Sequence, residues 1–335
     1  MQITAPNLAL FFTAFETRFW QAYGVCEPWY TKIATEYPVG TEQWVSAWIG
    51  MLEKMRVWLG PRVTHTPAPQ TYMVPIQPFE LTQAIDKFKI QDDTYGIYFP
   101  IAQLMAEQAK KWPDYQLRDL LQGTGFWTGA YQNGTDGIAH WSASHPVNFY
   151  DAAYGTYIND YGVSGTAING ITVGGPFTTN GFNTVWEDMA GRKGDNGEAL
   201  CVTPDLTMLP PQMRAAGMTI LQSQFYAPPV MGTLGVGATG TANAPFVGAM
   251  DNPLRGWTDL FINTDLANAP TAWYMFVTKG VLKPFSWLLR QAPVTVPRID
   301  PTDPSVFDTH TFLWGVEARG APAWGLPFLS SRSGV

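Results

Sequence analysis

Charge is what this 335-residue chain has least of: Asp, Glu, Lys and Arg make up 14% of it, against roughly 25% in ordinary soluble domains. Hydrophobic residues reach 46%, and 14 Trp, 14 Tyr and 19 Phe put the aromatic share at 14%. A lone monomer of that composition exposes too much apolar surface. Much of the surface is therefore expected to be covered by other copies, because obligate interfaces are rich in aromatics and Met and poor in Lys and Glu. A basic surplus is also missing. The 20 Lys and Arg stand against 27 Asp and Glu, a net charge of −7, which argues against a protein that grips phosphates through a basic face. It is compatible with a container wall past which DNA has to slide. Cys26 and Cys201 are the only cysteines; they cannot build a disulfide framework and lack zinc-ligand spacing, so both read as reduced core residues. No apolar run approaches the roughly eighteen residues of a spanning helix, and MQITAPNLALFFTAF at the N-terminus has neither the basic region nor the cleavage site of a secretion signal. Folding in a cytoplasm, away from any membrane, is expected. The lack of a 20–50-residue repeat excludes solenoids and propellers.

What is present points to an α+β fold of many short elements, since 27 prolines and 32 glycines are spread along the whole length. Segment 7–23 predicts a helix behind Asn7, with Leu8, Phe11, Phe12, Phe15 and Phe19 at helical spacing. It is too apolar to stand alone and is read as an arm lying on a neighbour, whose removal blocks assembly but leaves a folded body. Two β-rich stretches, 41–50 and 70–90, flank a helix-compatible piece at 51–60 and a turn-rich tip at 61–69. Together they predict a protruding two-stranded ribbon, confined to an edge by Pro75 and Pro78. The clearest helix spans 98–122, with Pro100 in its first turn, an apolar face of Ile101, Leu104, Met105 and Trp112 continued by Leu117, Leu120 and Leu121, and Gly123 past its end. Pro113 is expected to kink or break it. Beyond it, 123–182 reads as β-structure with long loops. A helix at 183–193, a buried strand at 199–206 and a helix at 210–223 predict a compact α/β subdomain. The Gly- and Ala-rich 230–250 is read as a loop or insertion, and 272–290 and 310–329 as β-prone.

Long ordered strings then carry a resemblance. They are YTKIATEYPVGTEQWVSAWIGMLEKMRVWLGPR (30–62), PFELTQAIDKFKIQDDTYGIYFPIAQLMAEQAKKWPDYQLRDLLQGTGF (78–126), HPV (145–147), KPF (283–285) and VFDTHTFLWGVEARGAPAWG (306–325). In this order they resemble the major head subunits of Mu-like phages, a family with the HK97-like capsid fold, over about half of the chain; 150–282 departs from the pattern. The resemblance implies an N-terminal arm (1–40), an extended E-loop (41–91), a peripheral domain (92–182) with a spine helix at 98–122, an axial domain (183–290) containing the 230–250 loop, and a strand returning to the peripheral domain (291–335). It implies a structural protein, not an enzyme and without cofactor, that self-assembles into hexamers and pentamers of an icosahedral head enclosing double-stranded DNA. The implied partners are further copies of itself, a separate scaffolding protein, a portal protein, where one exists a decoration protein, and DNA by non-specific proximity. The implied location is the virion capsid, assembled in a bacterial cytoplasm. Contacts between subunits are expected at Phe11, Phe12, Phe15, Trp44, Trp48, Trp58 and Arg62.

Features that suggest chemistry have plainer readings. His140 and His145 bracket four residues but have no third ligand placed by a motif. Asp86, Asp92 and Asp93 read as acids at a helix N-terminus rather than an acid–base cluster. GVGATGTANA (235–244) lacks the Gly-Lys-Ser/Thr ending of a phosphate loop. Asn133-Gly134-Thr135 matches a glycosylation sequon but reads as a turn. Trp44, Trp48 and Trp58 suit a covered interface better than a sugar platform. Two alternatives remain: another virion part, such as a tail-tube or decoration subunit, and a carbohydrate-binding or hydrolysing β-protein, for which no carboxylate pair stands out.

Overall fold

A computed structural model describes residues 5–48, 70–92, 96, 98–134, 136–148, 152–162, 166–168, 171–195, 197–226, 250–280, 282–300, 303, 306 and 309–334. The first half contains helices α1 (Ala5–Val25), α2 (Tyr30–Ile33), α3 (Lys87–Asp92) and α4 (Phe99–Gln122), and strands β1 (Ala34–Pro38), β2 (Gln43–Trp48), β3 (Gln70–Pro75) and β4 (Gln77–Asp86). Short strands β5 (His145–Pro146), β6 (Thr156–Tyr157), β7 (Thr166–Ile168) and β8 (Ile171–Val173) follow. Next come helix α5 (Thr179–Ala190), strand β9 (Leu206–Leu209), helix α6 (Arg214–Leu221), and strands β10 (Phe225–Tyr226), β11 (Met250–Asp251), β12 (Asp259–Ile262), β13 (Trp273–Phe276), β14 (Phe285–Arg298), β15 (Thr311–Trp324) and β16 (Ser330–Ser333). They sort into two compact units, one from Met1–Gly50, Trp58–His140 and Leu282–Leu326, the other from Met51–Val57, Trp141–Val281 and Pro327–Val335.

The first unit is built on a four-stranded sheet in the order β1-β14-β15-β4. β14 and β15 form a long antiparallel pair, β1 adds to β14 in parallel, and β4 pairs antiparallel with β15 over ten residues. One face of the sheet is covered by α1 and α4. Leu8, Phe12, Phe15 and Phe19 of α1 meet Ala102, Met105, Ala106 and Ala109 of α4 and Phe312, Trp314 and Val316 of β15 in one buried cluster. The small residues at 102, 106 and 109 recur at i, i+4 and i+7, so one stripe of α4 is low enough to admit the rings of α1. Gly320 of β15 is required for the same kind of approach. A Cβ there would lie 2.8 Å from the Leu288 carbonyl oxygen, 2.9 Å from Trp112 and 3.0 Å from Trp287.

Several sequence-based expectations shift here. The α1 helix starts before Asn7, which is an interior residue and not its cap. The α4 helix runs unbroken through Pro113. A proline removes one backbone donor, but the next residue, Asp114, turns inward and accepts hydrogen bonds from the backbone N–H groups of Trp29 (3.2 Å) and Tyr30 (2.7 Å), starting α2. Gly123 ends α4 with φ 65°, the left-handed closure its position predicts. The ribbon predicted over 41–91 is two things: β2 pairs only with β3, while 77–86 belongs to the edge of the main sheet. Pro78 is tolerated because β4 is an edge strand. Asp86 does serve a helix N-terminus, accepting from the N–H of Phe88 (2.7 Å) at the start of α3.

The second unit has a sheet in the order β12-β9-β13-β16, with β12 and β9 parallel and the other pairs antiparallel. All four residues of β9 and of β13 are buried. Helix α5 begins at Thr178, whose side chain accepts from the Gly181 N–H, and ends at Ala190, earlier at both ends than expected. The strand predicted at 199–206 begins only at Leu206, and the helix predicted at 210–223 divides into a 3-10 turn (Pro211–Met213) and α6. Arg192, 3% exposed, clamps the C-terminal segment by donating to the carbonyls of Phe328 (2.8 Å) and Ser330 (3.1 Å) and to Ser331 Oγ (2.6 Å). The helix-compatible piece at 51–60 and nearly all of the 230–250 loop lie outside the described residues.

Candidate assembly surfaces

The surfaces that can do something chemically unusual are apolar ones left open. In the β2–β3 hairpin, pairing sets Val45 opposite Met73 and Trp44 opposite Val74. Cross-strand partners share a face. The Val45 and Met73 pair is 51% and 62% exposed, while Tyr72 and Val74 are buried. Tyr72 meets the backbone of Trp324, and burial pushes its phenol well above the usual range. The hairpin base is thus fixed and one of its faces is bare. Trp44 is half-buried, its ring stacked on Tyr37 with centroids 6.1 Å apart.

A second bare surface lies on the main sheet. Phe312, Trp314 and Val316 point into the core, so their neighbours Gly315 and Glu317 stand on the opposite face. Val296 and Val294 pair with those two residues and are 47% and 46% exposed. On the helices, Leu10, Trp20 and Leu104 are exposed. In the second unit, Met218, Phe225 and Trp257 are exposed, with Trp257 resting on Trp186 at 5.0 Å.

The residues expected at subunit contacts divide. Phe12 and Phe15 are 3% and 0% exposed, packed against Phe312 (5.9 Å) and Trp314 (5.0 Å) of their own chain. Such rings have no surface left for a neighbour: the arm that seemed too apolar to stand alone finds its cover on α4 and β15. Phe11 is partly buried and lies 5.7 Å from Phe99. Trp48 closes the hairpin ladder opposite Gln70, and Trp58 and Arg62 lie outside the described residues. Val45, Met73, Val294 and Val296 were not foreseen. The signal was available, as apolar residues on both faces of a predicted strand mean that both faces are covered.

A cleft of about 170 Å³ lies beside Tyr23, Tyr30, Glu36, Lys110, Trp112 and Trp287, with one carboxylate in its lining. Glu36 accepts a 2.7 Å hydrogen bond from the Tyr30 hydroxyl, and burial together with that bond raises the Tyr30 pKa. The Lys110 ammonium sits 4.5 Å above the Tyr23 ring. His140 is stacked on Trp324 at 4.0 Å and His145 on Tyr157 at 5.2 Å, each in a different unit. Among the described residues no three His, Cys, Asp or Glu side chains group to hold a metal, and no helix is long and apolar enough to cross a membrane.

Comparison with known proteins adds three findings. The family model for the Mu-like prophage major head subunit gpT matches residues 8–169 and 251–334. The Mu-like prophage FluMu major head subunit of Haemophilus influenzae is 25% identical over 145 residues, which are 43% of this chain and 46% of that protein; the match thus spans about half the length of that relative. Among solved structures, the procapsid of bacteriophage JBD30 aligns with 99% of this chain and 76% of its own at TM-score 0.53 and 20% identity. The JBD30 capsid decorated with minor capsid protein trimers aligns with 72% of this chain and 91% of its own at TM-score 0.50 and 19% identity.

Proposed function

Because this chain belongs to the Mu-like prophage major head subunit family and has the HK97-like α+β capsid fold, we propose that it is the major capsid protein of a tailed-phage head. It would self-assemble into hexamers and pentamers of an icosahedral shell around double-stranded DNA. The observation that carries this is the family match, which takes in α1, the hairpin, α4, β14 and β15, the elements that present the bare apolar surfaces. The family is one of structural head subunits, and the work of such a protein is association. Many modest interfaces become strong through closed symmetry and multivalency.

In this reading the β2–β3 hairpin, together with 49–69, is the extended loop that lies over an adjacent subunit, α4 is the spine helix of the peripheral domain, and the second unit supplies the axial domain. The exposed Val45–Met73 face is then a contact between copies, joined by Trp44, Trp48, Trp58 and Arg62. Scaffolding, portal and decoration proteins are the further partners, the last supported by the decorated JBD30 capsid. DNA lies alongside without specific contact, and assembly takes place in the host cytoplasm.

The test is electron microscopy and sedimentation of the full chain. Capsomers or polyhedral particles support the proposal; open tubes point to a tail protein, and a stable monomer with affinity for glycans overturns it. Uniform closed shells from the chain alone would remove the need for a separate scaffolding protein.

A further inference from the structure

The protein pairs its sheltered arginines. Arg118 meets Asp119 at 2.7 Å, Arg192 meets Asp188 at 3.5 Å and Arg332 meets Asp160 at 2.6 Å. Even the exposed Arg298 is held by Asp303 through two hydrogen bonds. Among the described arginines that are buried or half-buried, Arg290 and Arg319 alone have no such acid. Both are half-buried, and the Nη1 atom of Arg290 and the Nε atom of Arg319 are sealed from solvent with no hydrogen-bond partner.

The ladder sets these two residues side by side. Leu289 pairs with Gly320 and Gln291 with Arg319, so Arg290 is the extra residue of a β-bulge. A bulge places two residues of one strand against one of the other and re-aims a side chain. Two guanidinium groups are thereby crowded at one point of the sheet, partly removed from water, with no acid to offset either. Glu317 and Glu80, the nearest carboxylates along the ladder, pair with each other in register, and Glu80 accepts a 2.5 Å bond from Thr82.

We infer that Arg290 and Arg319 form a socket for a carboxylate side chain of a second copy of this chain. The inference rests on the assembly reading above. A carboxylate suits the site because it accepts forked hydrogen bonds from guanidinium groups, and sheltering it between two cations removes their mutual repulsion. A second copy suits it for two reasons. The chain carries 27 acids against 20 basic residues, so every copy has carboxylates to spare. In addition, Arg319 shares its sheet face with Glu317, opposite which lies the exposed Val294, followed by Val296. That apolar row beside the cations is a surface for protein and a poor one for a phosphate backbone.

The experiment uses the full chain, with assembled material measured by sedimentation and electron microscopy. Replacing both residues (Arg290→Gln with Arg319→Gln) is expected to lower the assembled fraction about tenfold or more, the loss typical when one side of a sheltered charge pair is truncated. The circular dichroism and melting of the subunit should stay unchanged. The paired Arg290→Lys and Arg319→Lys variant keeps the charge and should still assemble. Treated with a carbodiimide in particles mixed from isotope-labelled and unlabelled copies, it should yield lysine–carboxylate cross-links between chains. The socket is overturned if the glutamine variant assembles like the wild type, if the lysines couple only within their own chain, or if the variant loses binding of inorganic phosphate or duplex DNA while assembling normally. A wild-type chain that forms no capsomer or particle overturns the assembly reading and the socket with it.

Discussion

Asp114 is 1% exposed in the middle of a helix, where a carboxylate is costly unless it is fully engaged. Its bonds to the N–H groups of Trp29 and Tyr30 place the turn after α1 on α4, so Asp114→Ala leaves two buried donors unmet. Chemical denaturation should show a loss of about 1–3 kcal/mol per group left unsatisfied. Tyr274 is the opposite case, as its hydroxyl is buried with no hydrogen-bond partner. Tyr274→Phe is therefore expected to be neutral or to stabilise by up to about 1 kcal/mol. The same residue gives a pH dependence. Burial pushes its phenol up from 10.0 to about 12, with Arg332 opposing the rise and Asp160 adding to it. A phenol whose folded pKa is raised contributes stability that is complete below pH 10 and disappears as pH climbs toward 12. Unfolding free energies measured across that window should fall less steeply for the phenylalanine variant; equal slopes would show that Tyr274 is not the group responsible.

At the scale of elements, α1 reverses an expectation. Deleting residues 5–25 removes Leu8, Phe12, Phe15 and Phe19 from the core. Losing one such ring costs about 3–5 kcal/mol, and whole domains are stable by only about 5–15 kcal/mol. The truncated chain should give insoluble or unfolded protein, not a folded body that merely fails to assemble; a native-like circular dichroism spectrum would disprove this. In contrast, Val45→Asp changes a residue already half in water and should leave the subunit folded while blocking particles in electron micrographs. The helices were legible because their signals are local: the 3.6-residue spacing of the α1 rings, the Pro100 start and Gly123 stop of α4. The partner of 77–86 was not, because Phe79 pairs with Ala318 across the whole chain and no local pattern separates an edge strand of that sheet from the arm of a ribbon. Nor was the Arg290 bulge, which exists only as a register slip between two strands. The apolarity of α1 was read correctly as a need for cover; its source, the chain's own α4 and β15, depends on tertiary packing.

For the whole molecule, a sequence with 14% charged residues has little besides apolar burial with which to drive association. Assembly should therefore show a negative heat-capacity change, measured as a reaction enthalpy that becomes more favourable with rising temperature in calorimetry. A temperature-independent enthalpy would mean that burial is not the driving term.

The parallel pairing of β1 with β14 ties residues 34–38 to 285–289. During synthesis about 250 residues separate the two partners, and a ribosome adding 5–20 residues per second needs roughly 12–50 s to cover that distance. For that interval the rings of α1 have α4 but not β15 to lie against. The nascent subunit is thus a client for chaperones before it is a building block, and the rate at which a cell can supply them, rather than the rate of shell closure, sets how fast such subunits can be made.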